Sequence, residues 1–431
     1  MDFPLESNRA RRSVLLGSIA IAGILAAQAA WIWLANRRIQ SRDSDTIQRG
    51  VQLVPGDADA WDRLGRFRQW DLMDPDISAA IVDYQNAVRH EPSSPYYWMD
   101  LASAYEDTGD IADARNAFQR AKEVYPASAD VAWHYGNFLL RQQESAEGMT
   151  EIQRAVRSDA SLLPQAVSRV WRSSHDVNAL DQVLPANLES YFGALDFFNS
   201  IHEAEPGLVI WQKLLTLEKP FPLARSFPFI EELIREDRSD DARRVWMGAL
   251  AAAGLPHEAP ADHSVVWDGN FNQAFPNGGL GWRWDPPLGV AIDFDRPRNA
   301  SGARSVRLDF GGGTNLELGG PYQYVPVEPS RTYNFRGYLR TEGISTESGL
   351  RFSIADPHHP ADVSMLTDNL TGTNSWTEVN EQISTGPQTH FLLVRLYRYP
   401  SRLFENKLSG TAWVADVSLI PSDAQAKGSK Q

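Results

Sequence analysis

Apolar residues follow three different rhythms along the chain. Residues 13–34 form an uncharged run whose most polar member is Gln28. From residue 43 to about residue 256 the apolar positions recur at i, i+3 and i+7, the spacing of helices with one buried stripe. After residue 264 short alternating runs take over, at 305–310, 322–327, 332–339, 350–355, 377–383, 391–397 and 411–419. Turn signals such as Gly311-Gly312-Gly313 and Gly319-Gly320-Pro321 separate them. The pattern predicts a multidomain chain: a transmembrane helix, an all-α region, then an all-β sandwich. The expected map is a cytoplasmic N-terminus at 1–12, the transmembrane helix at 13–34, helical repeats at 43–256, a linker at 257–263, the sandwich at 264–420 and a disordered tail at 421–431.

At about 1.5 Å per residue, the 22 residues from 13 to 34 are long enough to cross a hydrocarbon core of roughly 30 Å. Arg9, Arg11 and Arg12 precede the run, Arg37 and Arg38 follow it, and Trp31 and Trp33 sit at the level of an interfacial belt. Ala27-Gln28-Ala29 fits the small-x-small pattern of a cleaved signal peptide, which is the competing reading. The apolar run continues past that site through Leu34, which favours an uncleaved anchor. A basic N-terminal flank usually stays in the cytoplasm, so the expected localisation is single-pass in the cytoplasmic membrane with the bulk of the chain periplasmic.

The helical region repeats itself every 34 residues. Its clearest unit, 95–128, carries Trp98, Leu101, Ala102, Tyr105, Gly109, Ala114, Phe118, Ala121 and Pro126. Trp98, Leu101 and Tyr105 line one helix face, Gly109 suits a turn with positive φ, and Pro126 stops the second helix. Residues 34 positions later (Tyr135, Gly136, Leu139, Gly148, Ile152, Ala155) give a weaker copy. Ala80, Tyr84, Ala87 and Pro92 give half of an earlier one, whose partner (Trp61, Leu64, Gly65) is displaced by three residues inserted around 71–76. Phe229, Leu233, Ala242, Trp246 and Ala249 fit a distant copy, and 163–222 are helical but off-consensus. This region resembles the tetratricopeptide repeat. The resemblance implies a stacked solenoid whose groove binds a segment of a protein partner, with the named aromatics as core.

The all-β segment has a telling order of motifs. Val266-Trp267-Asp268-Gly269-Asn270-Phe271 opens it, Gly281-Trp282-Arg283-Trp284 follows, and Gly410-Thr411-Ala412-Trp413-Val414-Ala415-Asp416 closes it. The segment resembles the carbohydrate-binding-module type of galactose-binding-like jelly roll. The resemblance implies sugar stacking by exposed aromatics, for which Trp284, Tyr322, Tyr324, Trp376 and Tyr397 are candidates. Trp282 and Trp413 lie in fold-defining motifs and are expected in the core. It also implies one cofactor, a structural calcium held by Asp268, Asn270 and Asp416. Asn272 stands where the family commonly has an acidic residue after the Phe.

Composition narrows the chemistry. With no cysteine, disulfides, thiolate catalysis and Cys-ligated metals are excluded. The net charge of -14 excludes a general nucleic-acid binder. The charge is concentrated: residues 41–263 carry -15, whereas residues 1–40 carry +3. No Walker loop, nucleophile elbow or dinucleotide fingerprint is present. His257, Glu258, Asp262 and His263 lack helical HExxH spacing, and His358-His359, next to prolines, reads as a solvated loop. No catalytic residues stand out, and the chain is expected to be no enzyme. The sequence reads as a membrane-anchored extracytoplasmic scaffold. Its repeats would bind protein and its jelly roll glycan or protein, in assembly or export of envelope polysaccharide. Two alternatives stay open: a dedicated glycan-binding protein with the repeats as spacer, and a cryptic glycoside-active enzyme.

Overall fold

The computed structural model describes residues 8–256, 263–295 and 304–422. Six of the seven residues of the expected linker, with His257, Glu258 and Asp262, and the end of the expected tail lie outside the described residues. The chain forms two compact units, residues 1–185 and 186–431.

The first unit starts with α1 (Asn8–Ile39). Its stretch Arg11–Ile39 is long and apolar enough to cross a membrane, and none of that apolar window is buried. Helical hairpins follow: α2 (Ser44–Val51), α3 (Ala58–Gln69), α4 (Ile77–His90), α5 (Pro95–Thr108), α6 (Ile111–Val124), α7 (Ala129–Arg141), α8 (Ser145–Ser158) and α9 (Leu163–Ser174). Local chemistry sets the ends. Asp43, Asp57, Asp76 and Ser128 cap α2, α3, α4 and α7 through their side chains, each accepting from a backbone N–H three residues on. Gly109 closes α5 at φ 84°, a left-handed conformation that glycine adopts without strain. Two tryptophans reveal the repeat at atomic level. Trp61 Nε1 donates to Pro55 O, and Trp98 Nε1 to Pro92 O, both at 2.9 Å and both six residues back.

The apolar stripes meet in one core of Tyr84, Tyr97, Leu101, Phe118, Tyr135, Phe138 and Leu139, with Ala80, Ala102 and Ala114 where helices cross. A Cβ on Gly65 would come within 2.8 Å of the Tyr84 ring, and one on Gly136 within 3.0 Å of both Gly148 O and Ile152. These glycines let α3 meet α4, and α7 meet α8, at short distance.

In the second unit α10 (Leu188–Ser200), α11 (Ala204–Leu215), α12 (Phe227–Arg235) and α13 (Ser239–Ala252) precede nine strands. These are β1 (Val290–Asp295), β2 (Ser305–Gly311), β3 (Tyr322–Pro326), β4 (Thr332–Ile344), β5 (Arg351–Ala355), β6 (Ser364–Leu366), β7 (Gly372–Ser384), β8 (Phe391–Tyr397) and β9 (Ser409–Pro421). They form two antiparallel sheets, ordered β1-β2-β9-β4-β7 and β3-β8-β5-β6, whose inner faces enclose Phe335, Phe352, Leu392, Val394, Val414 and Leu419. Arg398 is fully buried at one end of this core. Its guanidinium donates to Ser348 O at 2.7 Å, Thr346 Oγ1 at 2.9 Å and Leu316 O, and burial pulls its pKa down.

The helices and the sandwich of this unit share an interface. Trp246 meets Trp267 edge-on at 5.4 Å, Arg283 pairs with Glu231 at 2.7 Å, and Arg243 donates to Pro326 O at 3.2 Å. Gly278 and Gly279 lie where a Cβ would strike the rings of Phe227 and Trp246. The expected solvated loop at His358-His359 is part of the same contact. His358 Nδ1 is 2.9 Å from Asp237 Oδ1, and the buried Asp356 accepts from both histidine N–H groups at 2.8 and 2.7 Å. Pro on both sides pointed to a loop correctly, but a buried aspartate orders it.

Replacing Gly65 with Ala is expected to cost about 1–3 kcal/mol, because the Tyr84 ring is fixed and cannot yield. Gly109→Ala, with open space around it but a positive φ, is expected to cost about 1 kcal/mol. Chemical denaturation checks both, and a Gly65→Ala protein as stable as wild type would contradict the close approach.

Candidate functional site

Among the repeats, α3 approaches α5 and α5 approaches α7, so the first helices of the hairpins line the inner side. Polar side chains meet there across helix boundaries. Asp62 on α3 is only 2% exposed, and its Oδ2 lies 2.7 Å from Arg66 NH2. Arg66 Nε is in turn 3.7 Å from Asp100 on α5. Burial, then the Asp100 charge, pushes the Asp62 carboxyl up to about 7. Burial also raises Asp100, while its hydrogen bond with Asp62, Arg66 and His134 of α7 pull it back. Asp62 Oδ1 has no fixed donor aimed at it, the situation of a protonated oxygen facing a second carboxylate. The pair therefore carries one proton near neutral pH, with Arg66 partly neutralising the other charge.

Around this pair the polar contacts continue. Gln69 Nε2 donates to Asp107 at 2.7 Å and to Ser103 at 3.3 Å, while Tyr84 OH donates to Gln69 Oε1 at 2.8 Å. Arg141 of α7 holds Glu106 of α5 through two bonds of 2.7 Å. Beside them opens a cleft of ≈ 550 Å³ lined by Arg63, Arg66, Phe67, Trp70, Asp71 and Leu72. The residues inserted around 71–76 make one wall, and Trp70, Leu72 and Met73 leave apolar surface open to solvent. The site thus offers both signs of charge and an apolar wall, a combination suited to a peptide segment.

The aromatics expected to stack on sugar are dispersed. Trp284 is 8% exposed and packs on Gly320 inside the core, and Tyr397 is buried with its OH on Glu317 at 2.8 Å. Both fill volume rather than surface. Tyr322 and Tyr324 project half-buried from β3 and meet edge-on at 6.1 Å, but the Arg283 guanidinium covers Tyr324 at 5.0 Å. Trp376 lies half-buried on β7, an edge strand.

Trp413, expected in the core with Trp282, departs from that expectation. Trp282 is buried, whereas Trp413 stands half-exposed on the outer face of the five-stranded sheet. Arg307 on β2 and Arg340 on β4 are its register partners on either side. Their guanidinium groups lie 5.9 and 4.4 Å from its ring. Asp295 accepts from Trp413 Nε1 at 2.9 Å, and Asp309 accepts from Thr411 at 2.8 Å. Trp376 lies one strand further on, in the bulge of β7 opposite Arg340. The alternation of Thr411 and Trp413 with the inward Ala412 and Val414 is the signal that places Trp413 outside, although Ala415 beyond it is buried.

The three residues expected around calcium differ in their surroundings. Asp268 adopts φ 49° and spends its carboxylate oxygens on the N–H groups of Asn272 at 2.9 Å and Gln273 at 2.8 Å. Burial pushes it up to about 6 despite those bonds. Asn270 is exposed and Asp416 half-buried. Among the described residues, no group of three or more His, Asp or Glu converges on a point.

The Asp62 shift has a pH signature. A carboxyl raised above its unfolded value of 3.8 favours the fold while protonated, so stability falls as pH rises from about 4 to about 7. Asp100→Asn removes the opposing charge, lets Asp62 ionise beside Arg66, and flattens the slope. We expect a gain of about 1 kcal/mol at pH 8 relative to pH 5, measured by urea unfolding. An equal change at both values would contradict the shared proton.

Comparison with known proteins places the helical part. The tetratricopeptide repeat family model matches residues 76–123 and 99–162. A search of curated proteins finds no match. Similar solved structures include one on the functional characterisation of pilF from Pseudomonas aeruginosa, 15% identical, covering 45% of this chain and 93% of that one with a TM-score of 0.30. The MamA protein is 14% identical over 46% of this chain and 92% of its own, with a TM-score of 0.24. YrrB, a TPR protein with an unusual peptide-binding site, is 12% identical over 49% of this chain and 94% of its own, at 0.25. With scores this low, the assignment rests on the family model, which agrees with the helix pairs and their Trp–Pro contacts. Residues 76–162 are tetratricopeptide repeats, the mark of a protein–protein interaction scaffold.

Proposed function

We propose that this protein is a membrane-anchored scaffold that captures a segment of a protein partner along the inner face of its repeats. One observation carries the reading: an open inner face on which α3, α5 and α7 present Arg66, Asp100 and His134 over the buried Asp62, beside an apolar cleft. Helical repeats bind extended or helical segments in such grooves, with charge choosing the partner. In this reading α1 crosses the cytoplasmic membrane uncleaved and the rest of the chain is periplasmic. Its role is to assemble other proteins rather than to catalyse, within a system that builds or exports envelope polysaccharide.

We further propose that the sandwich is a jelly roll. The strand orders β1-β2-β9-β4-β7 and β3-β8-β5-β6 support this reading, since consecutive strands from β2 onward alternate between the two sheets except at the paired β5 and β6. Its contact with glycan, the second reading, is favoured by the row of Arg307, Trp413, Arg340 and Trp376. The two tryptophans flank β4, so strand spacing sets them about 10 Å apart on one face. That geometry suits two rings of one extended sugar chain.

Charge reversal at Arg66 tests the scaffold. Arg66→Glu is expected to lower recovery of co-purifying envelope proteins about tenfold, equivalent to about 1.4 kcal/mol, without lowering expression. Unchanged recovery would sink the reading. For the sandwich, a glycan array probed with the detergent-solubilised full chain is expected to lose its signal in Trp413→Ala. An array silent with wild type would remove glycan from the account.

A further inference from the structure

The end of α1 is built into the repeats. Ala35 and Ile39 are buried with Ile47, Val51, Ala60 and Leu64. Gly50 sits so close that a Cβ there would fall 2.9 Å from Ile39 N. Two hydrogen bonds then fix the level of each element along the α1 axis. Trp31 Nε1 donates to Leu53 O at 2.9 Å, and Arg63 Nε donates to Ile39 O at 2.7 Å. Between Trp31 and Ile39 the helix rises about 12 Å. From Leu53 to Arg63 the chain therefore climbs in the same direction, away from the apolar run. The α2–α3 connection, residues 52–57, is left at the level of Trp31 and Trp33, where that run ends.

Antiparallel hairpins repeat this placement. α4 returns towards the same level and α6 does so again, so residues 91–94 and 125–128 form one edge with 52–57. The matched Trp61–Pro55 and Trp98–Pro92 bonds show that the first two connections are built alike. This edge exposes aromatic and apolar side chains that no packing requires: Tyr96 is 53% exposed, Tyr125 51% and Val124 36%. Leu53 and Val54 add partly exposed apolar surface. The second helices also end here, with Arg49, Arg89, Lys122 and Arg157 in their last turns. Asp57, Glu91 and Glu123 share the edge, so its affinity for an interface is aromatic before it is electrostatic. Tyrosine with an apolar body and a polar tip is the side chain that membrane interfaces select. The opposite turns carry Asp71, Asp74, Asp76, Asp110 and Glu144, with the exposed Trp70, Leu72 and Met73 confined to the one turn beside the cleft.

We propose that this edge of the repeats, residues 52–57, 91–96 and 124–128, lies in the headgroup layer of the membrane that α1 crosses. The proposal rests on the reading of α1 as a spanning helix. The first helices then stand roughly upright on the bilayer, and the inner face presents its partner segment parallel to the surface at a fixed height. A scaffold held this way selects partner segments close to the membrane.

The absence of cysteine makes the test clean, because an introduced thiol is the only one in the chain. Nitroxide labels are placed singly in the full-length protein through Tyr96→Cys and Tyr125→Cys. References are Ile24→Cys within α1, and Met73→Cys and Asp110→Cys on the opposite turns. Power saturation in phosphatidylethanolamine–phosphatidylglycerol bilayers reads accessibility to oxygen and to a water-soluble nickel chelate. At positions 96 and 125 we expect nickel accessibility several-fold below that at 73 and 110, with oxygen accessibility between those at 110 and 24. Labels at 96 and 125 as open to nickel as those at 73 and 110, with 24 in lipid, would overturn the proposal and leave the anchor standing. A label at 24 open to nickel would instead overturn the anchor, and the proposal with it.

Discussion

A helical hairpin has an apolar face that it cannot cover by itself, and in this protein the neighbour that covers it gets close only where side chains are missing. The Tyr84 ring occupies the space that a Cβ on Gly65 would need, and Gly136 lies against Gly148 O and the Ile152 side chain. Ala80, Ala102, Ala114 and Ala121 are buried completely at the other crossings. Because these approaches fix the hairpins, they also fix which polar residues meet between them. Asp62 and Asp100 sit on helices of different hairpins and face one another only because α3 and α5 are stacked at that distance. The inner face is thus a consequence of packing.

The helical part was legible because its signal is periodic and redundant. Trp98, Leu101, Gly109, Phe118 and Pro126 each mark a separate requirement of the same unit, and the structure places all of them accordingly. The seven runs read as strands all occur as strands: four are longer than read, 391–397 is matched, and 322–327 and 350–355 each lose one residue. β1 and β6 escaped notice. β6 has three residues, too few for a period, and β1 is a six-residue edge strand without a fully buried position. Surface assignments fared worse. Trp284 looks like Trp376 in sequence, but only tertiary packing on Gly320 puts it inside, while Trp413 inside a motif turns outward between two arginines. The Asp62–Asp100 pair was invisible, since no local pattern says which acids of two helices will be pressed together.

Charge acquires a location in the same way. The surplus of acid in residues 41–263 is not spread as a uniform coat. Part of it is consumed in ion pairs within and between hairpins, such as Arg68 with Asp83 at 2.7 Å inside one and Lys122 with Glu151 at 2.5 Å between two. Desolvation keeps Asp83 up at about 6 even beside its arginine, so such pairs are as much a matter of specificity as of stability. In the second unit the charged residues Glu231, Asp237, Arg243 and Arg283 join helices to sandwich. The Trp413 row keeps its charges at the surface, where the Arg307 and Arg340 guanidinium groups lie over the indole ring.

The central claim is that the inner face of the repeats is where a protein partner binds. Photo-crosslinking in intact cells addresses it directly, with a benzophenone amino acid placed at Ser103 or His134 on the inner face and at Val82, exposed on the outer side of α4. The account predicts a discrete adduct with one envelope protein from 103 and 134 and none from 82. Adducts of equal yield from all three positions, or from 82 alone, would contradict it.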